Sequence, residues 1–269
     1  MVSRVDAPLV MGIVNATPDS FSDGGRFLDP AAAVELGRRL AAEGAGLLDV
    51  GGESSRPGAE PVAAEEELRR AIPVVEGLVA AGERVSIDTT KASVAAAALE
   101  AGAELVNDVS AFRAEPEVAG IVAAAGAGCC LVHMRGEPKT MQSDPRYDDV
   151  VSEVRSFLEE RLAFAVSEGI AEERVWLDPG IGFGKRLEHN LELLRRLDEI
   201  VAIGRPVVIG TSRKTFLGTL AGGREADERL PGTIATNVLA LERGASVFRV
   251  HDVGPVVDAL AVAAATVRP

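Results

Sequence analysis

The alternation of short apolar runs with amphipathic helical stretches limits the possible folds of this chain more than any other feature. Strands are predicted near 9–15, 46–51, 84–88, 105–109, 128–134, 174–178, 206–210 and 246–251. Helices are predicted at 29–44, 63–81, 91–101, 115–126, 148–168, 187–203, 232–244 and 254–267. Short, continuously apolar strands are typical of parallel sheets that helices cover on both faces.

Two architectures accommodate eight strand–helix units: an open doubly wound sheet and a closed barrel. The even spacing and the lack of a linker across all 269 residues favour a single (β/α)8 TIM barrel domain spanning 1–269. In an open sheet, only strands near the point where strand order reverses carry site residues. Here nearly every strand is followed by polar side chains, which again favours the barrel.

Those polar side chains predict the position of a binding site. They are Asn15, Asp49 with Glu53, Asp88, Asn107 with Asp108, His133 with Arg135, Asp178, Ser212 with Lys214, and Arg249 with His251. The carboxyl ends of all eight strands of a barrel converge on one face. We therefore expect these residues to surround one pocket.

Composition and charge exclude several classes of function. The net charge is −13 and the pI is near 4.8, which argues against a nucleic acid or an anionic membrane as partner. No apolar run approaches the length of a membrane span, and the first residues do not read as an export signal, so a cytoplasmic location is expected. Cys129 and Cys130 are neighbours in an apolar run and are predicted to be buried free thiols.

The carboxylates suggest what the pocket binds. Asp88 and Asp178 each end an apolar strand. Asp88 is also suited to cap the helix predicted from residue 91, whereas a glycine-rich segment separates Asp178 from its next helix. Together with the Asn107 amide, these acids make a poor phosphate site. They suit a planar ring rich in N–H donors, because carboxylates accept hydrogen bonds.

Cations follow the last two strands. Arg249 and His251 lie two residues apart, so their side chains are expected to face the same way. Either they bind an anionic ligand, or Arg249 pairs with Asp252 or another carboxylate; phosphate sites of TIM barrels often use this position, which favours the ligand. Of Arg213 and Lys214, one is expected to face the pocket and the other solvent.

Other patterns carry less chemistry. The segment Gly180-x-Gly182-x-Gly184-Lys185 is not a P-loop, because Pro179 stands where the first glycine is required and no Ser or Thr follows Lys185. The three histidines are scattered through the sequence rather than clustered with cysteines as in a zinc site. His133 is expected to be a core histidine.

Eight motifs occur in one order between residues 11 and 252 and carry a family resemblance. They are MGIVNATPDSFSDGG, DVGGESSRPGA, SIDT, NDVSA, VHMRGEPKTMQ, DPGIGFGK, GTSRKTFLG and RVHD. Together they resemble the dihydropteroate synthase family. The resemblance implies a (β/α)8 barrel, usually a homodimer. It also implies that 7,8-dihydropterin-6-ylmethyl diphosphate and 4-aminobenzoate condense, with Mg²⁺ as cofactor, to 7,8-dihydropteroate and pyrophosphate.

The resemblance also implies roles for individual residues. Those implied in catalysis are Asn15, as the Mg²⁺ ligand, Lys214, Arg249 and His251. The residues implied in binding the pterin diphosphate are Ser55, Asp88, Asn107, Asp178, Lys214, Arg249 and His251. Those implied around the aminobenzoate are Phe21, Ser55, Arg56, Pro57, Phe183, Lys214 and Thr215. The sequence departs from the commoner family residues at Ala16, Ser55 and Thr215, which affects details of aminobenzoate binding rather than the reaction.

Two alternatives share much of this pattern. A pterin-dependent methyltransferase domain has the same barrel and similar pterin-binding acids, but it has no use for a diphosphate site. A catalytically silent paralogue would keep the pterin site without the condensation. The residues implied for the diphosphate and the aminobenzoate argue against each in turn.

Overall fold

A parallel eight-stranded sheet that closes on itself forms the centre of the protein. The computed structural model describes residues 8–17, 30–54, 58–137 and 139–267. The strands are β1 Leu9–Asn15, β2 Leu47–Gly51, β3 Val85–Asp88, β4 Leu105–Asp108, β5 Gly128–Val132, β6 Val175–Asp178, β7 Val208–Ile209 and β8 Val247–Val250. Their order in the sheet is β6-β5-β4-β3-β2-β1-β8-β7.

The two strands at the ends of that order meet and close the barrel. Leu177 of β6 forms a parallel bridge with Val207, and its N–H donates to the Pro206 carbonyl at 2.9 Å. β7 has only two residues, so this seam is the weakest contact of the ring. The closed arrangement confirms the predicted (β/α)8 barrel.

At least one helix follows each strand. The helices are α1 Pro30–Ala42, α2 Ala64–Ala80, α3 Ala92–Glu100, α4 Glu117–Ala125, α5 Val150–Ser167, α6 Leu187–Arg195, α7 Leu197–Val201, α8 Thr215–Leu220, α9 Leu230–Glu242 and α10 Val253–Val267. Local chemistry sets some of these boundaries. The Asp149 carboxylate, for example, accepts the Ser152 N–H at 2.7 Å and so caps the start of α5.

Successive strand residues divide the core into two layers. Met11, Leu47 and Cys130 belong to a cluster inside the barrel, whereas Leu48 and Cys129 pack in the layer between strands and helices. This follows from the two-residue repeat of a strand, which sends neighbouring side chains to opposite faces. Both cysteines are free and buried, as predicted.

One predicted helix is divided in two. The sequence predicts a single helix over 187–203, but α6 ends at Arg195 and α7 begins at Leu197. Arg196 between them has φ −108° and ψ 31°, and its guanidinium bonds the carboxylates of Asp149 and Glu199 at 2.8 and 2.7 Å. The apolar periodicity continues across the break, so it gives no sign of it.

The connection after β7 contains a helix that the sequence does not predict. α8 has only six residues, Thr215–Leu220, and includes a glycine. Such a short segment has too few turns to show an apolar period. Its first residue borders the barrel mouth, which makes it relevant to the site.

Candidate active site

A cavity of about 820 Å³ lies at the carboxyl ends of the strands. Every strand contributes a lining residue, either within the strand or just beyond its end: Asn15, Glu53, Asp88, Asn107, Val132, Asp178, Gly210 and Arg249. The strand ends therefore converge on one face, as the barrel geometry requires.

Asp49 is the polar centre beneath this cavity. Its side chain is fully buried in β2, and its carboxylate accepts three hydrogen bonds. The donors are the Ser86 hydroxyl at 2.6 Å, the Asn107 amide nitrogen at 3.0 Å and the Arg249 Nε at 2.6 Å. A buried carboxylate needs such partners to offset its lost hydration. Asp49 thereby fixes two side chains that face the cavity.

The Asn107 amide has one orientation because of Asp49. Its nitrogen donates to the carboxylate, so its oxygen points elsewhere. That Oδ1 atom is buried and has no hydrogen-bond partner among the described residues. Buried acceptors are normally satisfied, so this oxygen in the cavity wall is available to an N–H group of a ligand.

Arg249 links two carboxylates across the barrel. Its Nη2 donates to Asp88 at 2.7 Å in addition to the bond from Nε to Asp49. Burial raises the pKa of Asp88 to about 7, although the Arg249 guanidinium opposes the shift. The sequence left open whether Arg249 pairs with a carboxylate or binds an anion. The pairing is present, and it uses two of the five N–H groups of an arginine.

Asp178 and Lys214 form the opposite wall. The Asp178 carboxylate accepts the Gly180 N–H at 2.6 Å, and burial raises the pKa of this acid against the effect of Lys214. Burial lowers the pKa of Lys214 to about 8, with Asp178 opposing the shift. The Lys214 ammonium contacts the Ile181 carbonyl and lies 4.4 Å from the centre of the Phe183 ring.

Two neighbours in the connection after β7 have different roles. Lys214 faces the cavity, whereas the Arg213 guanidinium is held by the Asp252 carboxylate at 2.9 and 2.5 Å. The expectation that one residue faces the pocket and the other solvent is met only in part, because Arg213, although partly exposed, also borders the cavity. Arg213 has φ +58°, a left-handed conformation that is costly for a non-glycine residue. Ser212 bonds the Nδ1 of His251 at 2.9 Å and so orients that ring.

Nine of the thirteen residues to which the family resemblance gives a role border this one cavity, as do Glu53 and Ser212. The nine are Asn15, Asp88, Asn107, Asp178, Phe183, Lys214, Thr215, Arg249 and His251. The remaining four, Phe21, Ser55, Arg56 and Pro57, lie outside the described residues.

The sequence also placed Asp49, Asp108, His133 and Arg135 around the pocket, and none of the four borders the cavity. Asp49 lies beneath it and acts through Asn107 and Arg249. Asp108 instead accepts the N–H groups of Ser110 and Phe112, because neighbouring residues of β4 face opposite sides of the sheet.

Known proteins of similar sequence and structure indicate the family of this chain. The family model described as pterin binding enzyme matches residues 11–251. The dihydropteroate synthase of Mycobacterium leprae is 48% identical over 262 residues, covering 95% of this chain and 92% of that protein. The structure of Xanthomonas albilineans dihydropteroate synthase with 4-aminobenzoic acid has a TM-score of 0.91 and 49% identity, covering 97% of this chain and 94% of that one. A structure of the Xanthomonas albilineans enzyme with 7,8-dihydropteroate has a TM-score of 0.88 and 47% identity, with the same two coverages.

The fold and the acceptor-lined cavity thus define a pterin-binding barrel enzyme. Within that class the relatives are transferases of folate biosynthesis. The chain belongs to the dihydropteroate synthase family.

Proposed function

We propose that this cavity joins 7,8-dihydropterin-6-ylmethyl diphosphate to 4-aminobenzoate, giving 7,8-dihydropteroate and pyrophosphate. The observation that carries the proposal is the set of acceptors and cations that line one cavity. The carboxylates of Asp88 and Asp178 and the unpartnered Asn107 oxygen lie in the same cavity as Lys214 and Arg249. Acceptors suit the N–H groups of the pterin ring, and cations suit its diphosphate.

The main electrostatic task of the site is to stabilise the leaving group. We infer a dissociative displacement in which the C–O bond to the diphosphate breaks early and the exocyclic carbon becomes positive. The aminobenzoate nitrogen then forms the C–N bond and loses a proton. Arg249 and His251 would stabilise the charge on the departing diphosphate, because donors fixed before the reaction need no reorganisation. This route requires neither a covalent enzyme intermediate nor a strong general base.

Mg²⁺ is the proposed cofactor, with Asn15 as its protein ligand. The described residues contain no cluster of three or more His, Cys, Asp or Glu arranged to hold a metal. Mg²⁺ fits nevertheless, because it keeps several waters and often binds through one or two protein oxygens plus substrate phosphates. The half-buried Asn15 amide at the end of β1 borders the cavity. The ion would offset the negative charge of the diphosphate.

The aminobenzoate would bind at the outer part of the cavity. Phe183 and the exposed Thr215 border it there, and the Lys214 ammonium lies against the Phe183 ring. Four further residues are proposed for the same subsite: Phe21, Ser55, Arg56 and Pro57. The ring of Phe183 and the charge of Lys214 match the apolar ring and the carboxylate of this substrate.

Product analysis tests the reaction. The purified protein with Mg²⁺ and both substrates should release pyrophosphate and form dihydropteroate in equal amounts, and Asp178→Asn should abolish most of this activity. A silent paralogue would bind the pterin diphosphate without releasing pyrophosphate. A methyltransferase domain would not use the diphosphate at all. Either result would refute the proposed function.

A homodimer is the proposed assembly. Three large apolar side chains on adjacent helices are exposed: Leu220 on α8, Leu239 on α9 and Val262 on α10. A second subunit that packed against these helices would remove such side chains from water. Light scattering on the eluting protein should give about twice the 28.0 kDa chain mass. A monomer at micromolar concentration would contradict the assignment.

A further inference from the structure

Lys185 is a buried amine that the proposed reaction does not use. It is 3% exposed and ends the glycine-rich segment 179–185 that follows β6. Its Nζ lies 2.9 Å from the Gly180 carbonyl, 3.0 Å from the Phe183 carbonyl and 2.8 Å from the Nδ1 of His133. The His133 carbonyl is more distant, at 3.3 Å.

These three close contacts can be satisfied in either protonation state of the amine. A neutral amine donates two N–H groups to the two carbonyls and accepts from His133. An ammonium donates to all three. In both cases the carbonyls of Gly180 and Phe183 are held by Lys185, because carbonyl oxygens only accept.

The segment that ends at Lys185 packs closely against the backbone just after β5. A side chain at Gly180 would place its Cβ 1.9 Å from the His133 carbonyl oxygen, and one at Gly184 would lie 2.3 Å from the Arg135 carbonyl oxygen. Both glycines also have positive φ, +66° and +63°. The backbone of this segment is therefore held on one side by the connection after β5 and on the other by the Lys185 side chain.

Two groups that face the cavity depend on this backbone. The Gly180 N–H donates to Asp178 at 2.6 Å, and Phe183 carries the ring beneath the Lys214 ammonium. Lys185 bonds the carbonyls of these same two residues, Gly180 and Phe183. One buried amine thus holds the backbone next to both Asp178 and the Phe183 ring.

We propose that Lys185 is a positioning residue for both substrates: its Nζ fixes the 180–183 backbone that places Asp178 and Phe183. This inference rests on the proposed function for the roles of those two residues. It assigns a task to the GxGxGK segment that is neither phosphate binding nor catalysis.

The test compares Lys185→Met with the wild type. Methionine removes all N–H donors and keeps an apolar chain of similar length. We expect the Kd for pterin diphosphate and the KM for 4-aminobenzoate each to rise by about 10-fold or more, the scale for losing hydrogen bonds to a charged or buried group. Lys185→Gln keeps two N–H donors on a shorter chain, so its constants should lie between those of wild type and Lys185→Met.

The matched control is Lys139→Met, which removes the same charge from an exposed lysine paired with Glu60. It should bind both substrates as the wild type does. Thermal unfolding of each variant separates stability from positioning. If Lys185→Met does not fold, Lys185→Gln is measured in its place.

Two results would overturn the inference: wild-type constants for both substrates in a folded Lys185→Met, or a fall in kcat alone with binding unchanged. Failure of the proposed function would look different. In that case the wild type itself would release no pyrophosphate, whereas a failed positioning role leaves an active wild type and a variant that binds both substrates equally well.

Discussion

At the scale of single residues, Asp49 determines how two other side chains meet the substrate. Its carboxylate fixes the Asn107 amide nitrogen and the Arg249 Nε from below, at 3.0 and 2.6 Å. Without it, the amide could rotate and present its nitrogen where the pterin needs an acceptor. Arg249 would also keep only its bond to Asp88.

Asp49→Ala should therefore weaken pterin diphosphate binding by about 2 kcal/mol, within the range for lost hydrogen bonds to charged groups. Isothermal titration calorimetry measures the change. Ser86→Ala is the control, because it removes one donor to Asp49 and leaves both cavity-facing bonds in place. Equal affinities of the two variants would show that Asp49 does not orient the site.

Lys214 should give the enzyme an alkaline limit. Burial holds its pKa at about 8, so the side chain is a cation below that pH and loses its charge above it. If the cation is required, kcat/KM falls as pH rises through about 8, because this ratio reports groups of the free enzyme. In Lys214→Arg the limit should move to higher pH, since a guanidinium stays charged. An unchanged limit in that variant would assign it to another group.

At the scale of elements, the connections after the strands carry the demanding geometry. Gly180 and Gly204 both have positive φ, +66° and +89°. They differ in surroundings: a Cβ at Gly180 would collide with the His133 carbonyl, whereas one at Gly204 would meet no atom within 4 Å. The first glycine belongs to the site and the second only ends a helix.

Gly204→Ala should cost about 1 kcal/mol of unfolding free energy, the strain of a left-handed alanine. Gly180→Ala should cost at least about 3 kcal/mol, since backbone must also move. Urea unfolding of both variants gives the comparison directly. If both variants lost a similar amount of unfolding free energy, the backbone after β6 would adjust to the added methyl group more easily than its contacts imply.

At the scale of the whole molecule, the barrel is unevenly closed. β1 pairs with β2 over five residues from Met11 to Asn15, whereas β6 reaches the β7 side through the Leu177–Val207 bridge. Local opening follows the weakest hydrogen-bonded region of a fold. The seam between β6 and β7 is that region among the described strands.

The Leu177 amide, which bonds the Pro206 carbonyl across the seam, should exchange with solvent at least about 10-fold faster than the Leu48 amide in β2. The Leu48 N–H bonds the Arg84 carbonyl at a similar length, 2.9 Å, so bond length does not explain the difference. Native-state hydrogen exchange by NMR resolves both sites. Equal protection would indicate that the barrel opens only as a unit.

Most strands and helices of the barrel could be predicted from the sequence, because apolar runs and helical periodicity reflect which residues are buried. Seven of the nine cavity residues were predictable as well, since strand ends of a barrel converge, whereas Phe183 and Thr215 followed only from the family resemblance. The roles of Asp49 and Lys185 were not predictable, because they depend on which atoms surround these side chains after folding. The break at Arg196 and the short helix α8 were also missed, because neither changes the apolar pattern.

The two adjacent free thiols of β5 have a practical consequence. Burial raises the pKa values of Cys129 and Cys130 and shields both from reagents. They are the only cysteines of the chain. Maleimide added to the native enzyme should therefore react only as fast as the central strands come apart. The rate of cysteine labelling would then report the rate of unfolding without an engineered label.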